Sequence, residues 1–195
     1  MMLPGGAGGP AQDWAPYPQL EDAVRSYLRP GDQEVALDAL RGVLDLGEVK
    51  AFTLERVANP QPWGESLWQE IAVTDGRRLV LWHGDDEVDD DGGGVRMFSS
   101  SLRTIPLRAV VDQGLRTRFQ IEPDGSRTIH TVLLYLSTQT PERAVTELAD
   151  PNETRTVQYV ETYRFSKSVT DGGRGQMQRL MQFGREISHS VARAE

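Results

Sequence analysis

The last stretch of the chain, Arg174 to Ala194, sets Met177, Leu180, Met181, Gly184, Ile187 and Val191 at helical spacing on one stripe. A helix with one apolar face needs a surface to lie on. The preceding sequence supplies it, because some six runs between Val49 and Lys167 read as strands. Strands first and one long helix last predict a small barrel or sandwich closed by that helix.

The runs differ in what they ask of their surroundings. Phe52 and Leu54 alternate with polar neighbours until Asn59-Pro60-Gln61-Pro62, where missing donors should break the strand. Leu67, Ile71 and Val73 alternate again, and Asp75-Gly76 reads as a two-residue hairpin turn before Leu79 to Trp82. Val95 to Phe98 and Leu102 to Leu107 give shorter strands. Leu115, Thr117, Phe119 and Ile121 alternate with Arg116, Arg118 and Gln120, which predicts one core face and one wet face. After the Pro123-Asp124-Gly125 turn, Val132 to Leu136 is apolar on both faces. That strand should be covered from both sides, with helices as the available cover. A polar link from Thr138 to Asn152 holds a short helical pattern at Ala144 to Leu148, and Val157, Tyr159, Tyr163 and Phe165 share one face of a last strand.

Ahead of the strands, Leu20, Val24 and Leu28 recur at helical spacing until Pro30-Gly31. Asp32 reads as an N-cap for a second helix with Val35, Ala36, Ala39, Leu40, Val43 and Leu44 on its buried side and Gly47 at its end. Residues 1–18, with four prolines and little charge, read as a flexible tail in which Trp14 and Tyr17 could still dock. The chain thus divides into that tail and a single domain over 19–195, with a helical lead at 19–47, strands at 49–167 and a helix at 173–194.

The stretch from Val49 onward resembles a bacterial pleckstrin-homology-like domain. The likeness rests on Thr74-Asp75-Gly76-Arg77-Arg78-Leu79-Val80-Leu81 and on Ile105-Pro106-Leu107-Arg108-Ala109-Val110 leading into the Leu115 to Ile121 strand. The resemblance implies an α+β, mostly β fold: a partly open barrel or sandwich of about seven antiparallel strands with a C-terminal capping helix, the two short N-terminal helices being an addition. It also implies recognition or assembly rather than catalysis. Phosphoinositide-binding relatives carry cations between their first two strands. Here Ala58 to Ser66 has none, so no phosphoinositide is expected.

A net charge of −8 argues against nucleic acid or an anionic membrane as partner. No signal-peptide pattern opens the chain, and it has no cysteine, so the expectation is cytoplasmic. Nineteen of 21 basic residues are arginine, Lys50 and Lys167 being the exceptions, which fits a high-GC bacterial genome.

Candidate chemistry is thin. Asp85-Asp86-Glu87-Val88-Asp89-Asp90-Asp91 lacks the spacing of a calcium loop and reads, with Gly84 to Gly94 as a whole, as a solvated excursion. His83, His130 and His189 fall in no ligand motif, and Ser99-Ser100-Ser101 has no evident base. Among the carboxylates Glu70, Glu122 and Glu161, Glu161 shares its parity with core residues and so is either paired, preferably with an arginine, or functional. No cofactor, metal site or catalytic residue is assigned. Arg116 and Arg118, preceded by Arg103 and Arg108, form either an anion-binding patch or solvated charge guarding a sheet edge. Trp63, in a proline-stiffened loop, is either an exposed contact anchor or a lid folded on the core. These features favour a non-enzymatic binding or scaffold module of a bacterial regulatory complex, with a protein partner or self-association. The alternatives are a small-ligand carrier of helix-grip type and a hydrolase without a recognisable motif.

Overall fold

The computed structural model describes residues 13–89, 94–139, 145–150, 153–157 and 160–194. Two helices lead, α1 (Leu20–Tyr27) and α2 (Asp32–Arg41). Four strands follow as an antiparallel meander: β1 (Ala51–Gln61), β2 (Gly64–Thr74), β3 (Arg78–Asp89) and β4 (Val95–Pro106). A second sheet joins β5 (Val110–Ile121), β6 (Arg127–Gln139) and β9 (Val160–Ser168) in that order. Between β6 and β9, β7 (Val145–Asp150) and β8 (Glu153–Val157) pair as a hairpin, and α3 (Gly173–Ala194) ends the described chain. The fold is α+β, mostly antiparallel β, with sheets of four and three strands that share no ladder among the described residues, so no closed barrel forms.

The first sheet is buried on both faces. One face holds Phe52, Leu54, Ile71, Val73, Val80 and Trp82 against Trp14 and the helical lead. The other, with Ala51, Ala72, Leu79, Leu81 and Ile105, shares a core with β6, β9 and α3. Along α3, Met177, Leu180, Phe183 and Ile187 fill the space between the sheets, where the Phe183 ring stands edge-on to Phe165 at 5.8 Å. Gly184 lies under Leu134, with 3.1 Å between a Cβ built there and the leucine, so the helix approaches β6 closely.

Several expectations shift. Trp14, placed by sequence in a flexible tail, is fully buried with its ring 5.6 Å from Phe52. On α2, Leu37 rather than Val35 faces the core. Asp32 makes no cap; its carboxylate instead accepts from Arg29 Nε and Gln69 Nε2, each at 2.7 Å. The expected turn at Asp75-Gly76 is a four-residue loop between Thr74 and Leu79, closed by the Asp75 carboxylate on the amides of Arg77 and Arg78. The two-residue turn lies at Pro62-Trp63, and Gly64 (φ +126°) supplies its left-handed residue. β1 runs through Pro60 because it is an edge strand, where a missing donor is tolerated. Val145–Asp150 is extended, so the helical pattern expected at Ala144 to Leu148 gives way from Val145 on to pairing with β8, and Ala144 lies outside the described residues. The run expected as one last strand is divided between β8 and β9, and Tyr159 lies outside the described residues.

The expected acidic excursion is the largest correction. β3 continues through Gly84 to Asp89, paired with β4 up to Val95. Asp86 receives both terminal nitrogens of Arg29 at 2.7 Å and the Leu67 amide at 3.0 Å, which ties the helical lead to the first sheet. The guanidinium holds that carboxyl below the ordinary range. Residues 90–93 lie outside the described part.

Candidate functional site

Among the described residues, the second sheet is covered on one face. Val132, Leu134 and Leu136 of β6 point to the core beneath α3 and are buried. Leu133 and Tyr135 point the other way and are only half-buried, so the strand that reads as apolar on both faces is covered on one. The helices that could have covered it lie on the first sheet instead.

Register fixes the neighbours of Leu133 and Tyr135. Arg116 stands opposite Leu133, Arg118 opposite Thr131, and Gly114 opposite Tyr135 on the β5 side, while Arg164 stands opposite Tyr135 on the β9 side. Partners across a ladder share a face, so three guanidiniums surround a tyrosine and a leucine on an uncovered surface. Neighbouring strands are about 4.8 Å apart, so one extended ligand could span the group. Arg116, Arg118 and Arg164 form no ion pair or hydrogen bond among the described residues. Gly114 lets the tyrosine lie across β5, because a Cβ there would overlap the ring of Tyr135.

Trp63 occupies the β1–β2 turn, half-buried, in the other sheet from Arg116 and Arg118. The guanidinium of Arg96, from β4, lies 4.8 Å from its ring centroid. The loop itself carries no cation, yet the fold brings one beside it, which sequence order could not reveal. Arg103 leaves the expected arginine group: it pairs with Glu161, whose carboxylate also accepts from the Tyr163 hydroxyl at 2.7 Å. That meets the expectation of an arginine partner for Glu161.

Reading the sequence missed a buried charge cluster where β1, β2 and β9 meet. Glu55 and Glu70 are cross-strand partners, a like-charge pairing that costs stability by itself. Lys167, only 2% exposed, places Nζ 2.5 Å from Glu55 Oε2. Burial first, then the Glu55 charge, pushes Glu70 up to about 7. Burial also raises Glu55 despite the lysine. The one available signal was that Lys167 is one of two lysines and shares the parity of Tyr163 and Phe165. The space beside the cluster is about 10 Å³, room for one water and no substrate.

The remaining suspects have structural partners or none. The Trp82 indole donates to Ser100 at 2.9 Å, Ser99 bonds Glu87, and the His83 ring lies 5.3 Å from that of Trp68. His130, His189 and Glu122 join no cluster, and among the described residues no group of three His, Asp or Glu could hold a metal ion. No helix there is long and apolar enough to cross a membrane. No family model, curated protein or solved structure matches the chain.

Proposed function

We propose that this chain is a non-enzymatic binding or scaffold module of pleckstrin-homology-like type, acting in a cytoplasmic regulatory complex of a bacterium. Its partner is an acidic protein segment that lies across Arg116, Arg118 and Arg164, with Tyr135 and Leu133 as the apolar floor. The carrying observation is that arrangement: three arginines without partners among the described residues on an uncovered sheet face, in a chain of net charge −8. Guanidiniums around an aromatic ring suit carboxylates and planar groups. A four-stranded meander, a three-stranded sheet and a terminal helix in that order support the family reading. The carrier reading is disfavoured because Met177, Leu180, Phe183 and Ile187 occupy the space between the sheets that a ligand would need. The hydrolase reading is disfavoured because Ser99 to Ser101 lie exposed on β4, an edge strand, with Ser99 held by Glu87 and Ser100 by the Trp82 indole.

The test compares proteins captured by the wild-type chain and by the Arg164→Glu and Arg116→Glu/Arg164→Glu variants. All three should melt alike, and both variants should lose the same acidic partner. Retention of every partner by the double variant would overturn the reading.

A further inference from the structure

Among the described residues, the second sheet also ends in an edge that pairs with no other strand. β5 is the outer strand of its sheet, twelve residues long, with neither proline nor lysine. Exposed edges are commonly blunted by such residues because unpaired backbone groups template another strand. Of the two edges of the first sheet, β1 carries Pro60 and β4 ends at Pro106. β9 places Lys167 on Glu55 of β1. β5 instead exposes Leu115, Phe119 and Ile121 by 43%, 52% and 69%.

The longest unbroken stretch of its ladder with β6 runs from Asp112 to Arg118, between the two register shifts. That segment is centred on Leu115, and its ends are oppositely charged. Asp112 and Arg118 are exposed, on the same face, and without an ion pair among the described residues. Laid antiparallel on itself about Leu115, the segment sets Asp112 against Arg118 twice, Gln113 against Thr117 twice and the two Leu115 side chains together. Arg116 of each copy then lies opposite Gly114 of the other, beside the Tyr135 ring that covers it.

We infer that β5 is a self-pairing edge, through which two copies join about a two-fold axis at Leu115 into one six-stranded sheet. A two-fold interface must be self-complementary, and this register meets that demand in both charge and apolar contact. The inference shares Arg116 and Arg118 of β5 with the proposed acidic-partner face but stands apart from it, because it is read from the mass of the isolated chain and not from capture of a partner.

The experiment uses sedimentation equilibrium of the full chain. The wild type should approach twice the monomer mass at about 100 μM, an affinity within the ordinary range for a small polar interface. Arg118→Asp and Asp112→Arg should each weaken association by about tenfold or more, because each puts like charges opposite one another twice. The exchanged double variant should regain it. An equimolar mixture of the two single variants should also associate, since both 112–118 pairs between them are again of opposite sign. A wild type that stays monomeric would overturn the inference. So would a wild-type dimer indifferent to both single changes, or an exchanged double variant no tighter than the single ones.

Discussion

In β2, Ile71, Ala72 and Val73 follow one another and all are buried; in β6, Leu133 and Leu134 follow one another and only Leu134 is. By sequence β2 reads as alternating and β6 as apolar on both faces, yet it is β2 that is buried on both, because the strands sit in different layers. The first sheet lies between the helical lead and α3, so a residue of either parity meets a partner. Among the described residues, the second has α3 on one side and no covering element on the other, where arginines frame half-buried apolar residues. Apolar side chains on an exposed face call for either a partner or a tolerated cost. Strand composition alone does not say which face the helices take.

The comparison breaks most visibly if α3 proves dispensable. Ending the chain after Asp171 removes Met177, Leu180, Phe183 and Ile187. Each is worth roughly 1.5–3 kcal/mol when buried, which together rivals the 5–15 kcal/mol of a typical domain. The truncated chain should lose cooperative thermal unfolding and its near-ultraviolet dichroism. A transition near the wild-type Tm would mean that the second sheet stands without its helix.

Single core truncations come next. Leu134→Ala should cost about 2–5 kcal/mol in urea unfolding and Trp14→Ala about 3–5 kcal/mol. Trp14 tests the first sheet's cover, because the ring is sealed against Phe52 and the guanidinium of Arg179 lies 6.0 Å from its centroid. A Trp14→Ala change below about 1 kcal/mol would return residues 13–18 to the status of a tail.

Much of this fold is legible in sequence because it depends on local period. The spacing of Leu180 and Ile187, the Pro30-Gly31 break and the alternation in β5 all have short-range causes. β5 alternates in the expected phase, since Leu115 and Thr117 face Leu134 and Val132, but the sheet ends there and leaves Leu115 exposed. What escaped the sequence was long-range. The acidic run is strand because Arg29, 57 residues earlier, pairs with Asp86. Lys167 is buried because Glu55, 112 residues earlier, meets it. Of the site residues, Arg116 and Arg118 could be placed on one face by parity. Arg164 and Tyr135 joined them only through the β6–β9 register.

A smaller effect distinguishes the seam between the sheets from the cores on either side. Glu70 is raised from an ordinary 4.5 to about 7 by burial and by Glu55. Between those values the folded protein binds more protons than the unfolded chain. Its contribution is therefore fully present below about 4.5 and is lost as pH rises through 7. Every tenfold difference in proton affinity between the folded and unfolded states corresponds to about 1.4 kcal/mol. Glu70→Gln should then gain on the order of 2 kcal/mol relative to wild type between about pH 5 and pH 8, by urea unfolding at both. A pH-independent difference would show that Glu70 is already solvated.

The smallest expected effect is the sharpest test of the two-sheet contrast. Leu133→Ala removes the same atoms as Leu134→Ala one residue away in the same strand. Leu133 faces outward beside Arg116, half in solvent, so its truncation leaves no sealed cavity and forfeits only part of a transfer term. The cost should stay below about 1 kcal/mol, against the several expected for its neighbour, with an unchanged urea m-value. If the two substitutions cost the same in the isolated chain, the outer face is already covered. If Leu133→Ala costs little in dilute chain but weakens capture of the acidic partner as Arg164→Glu does, the leucine belongs to the docking floor. Its half-burial is then what an unliganded contact surface should show.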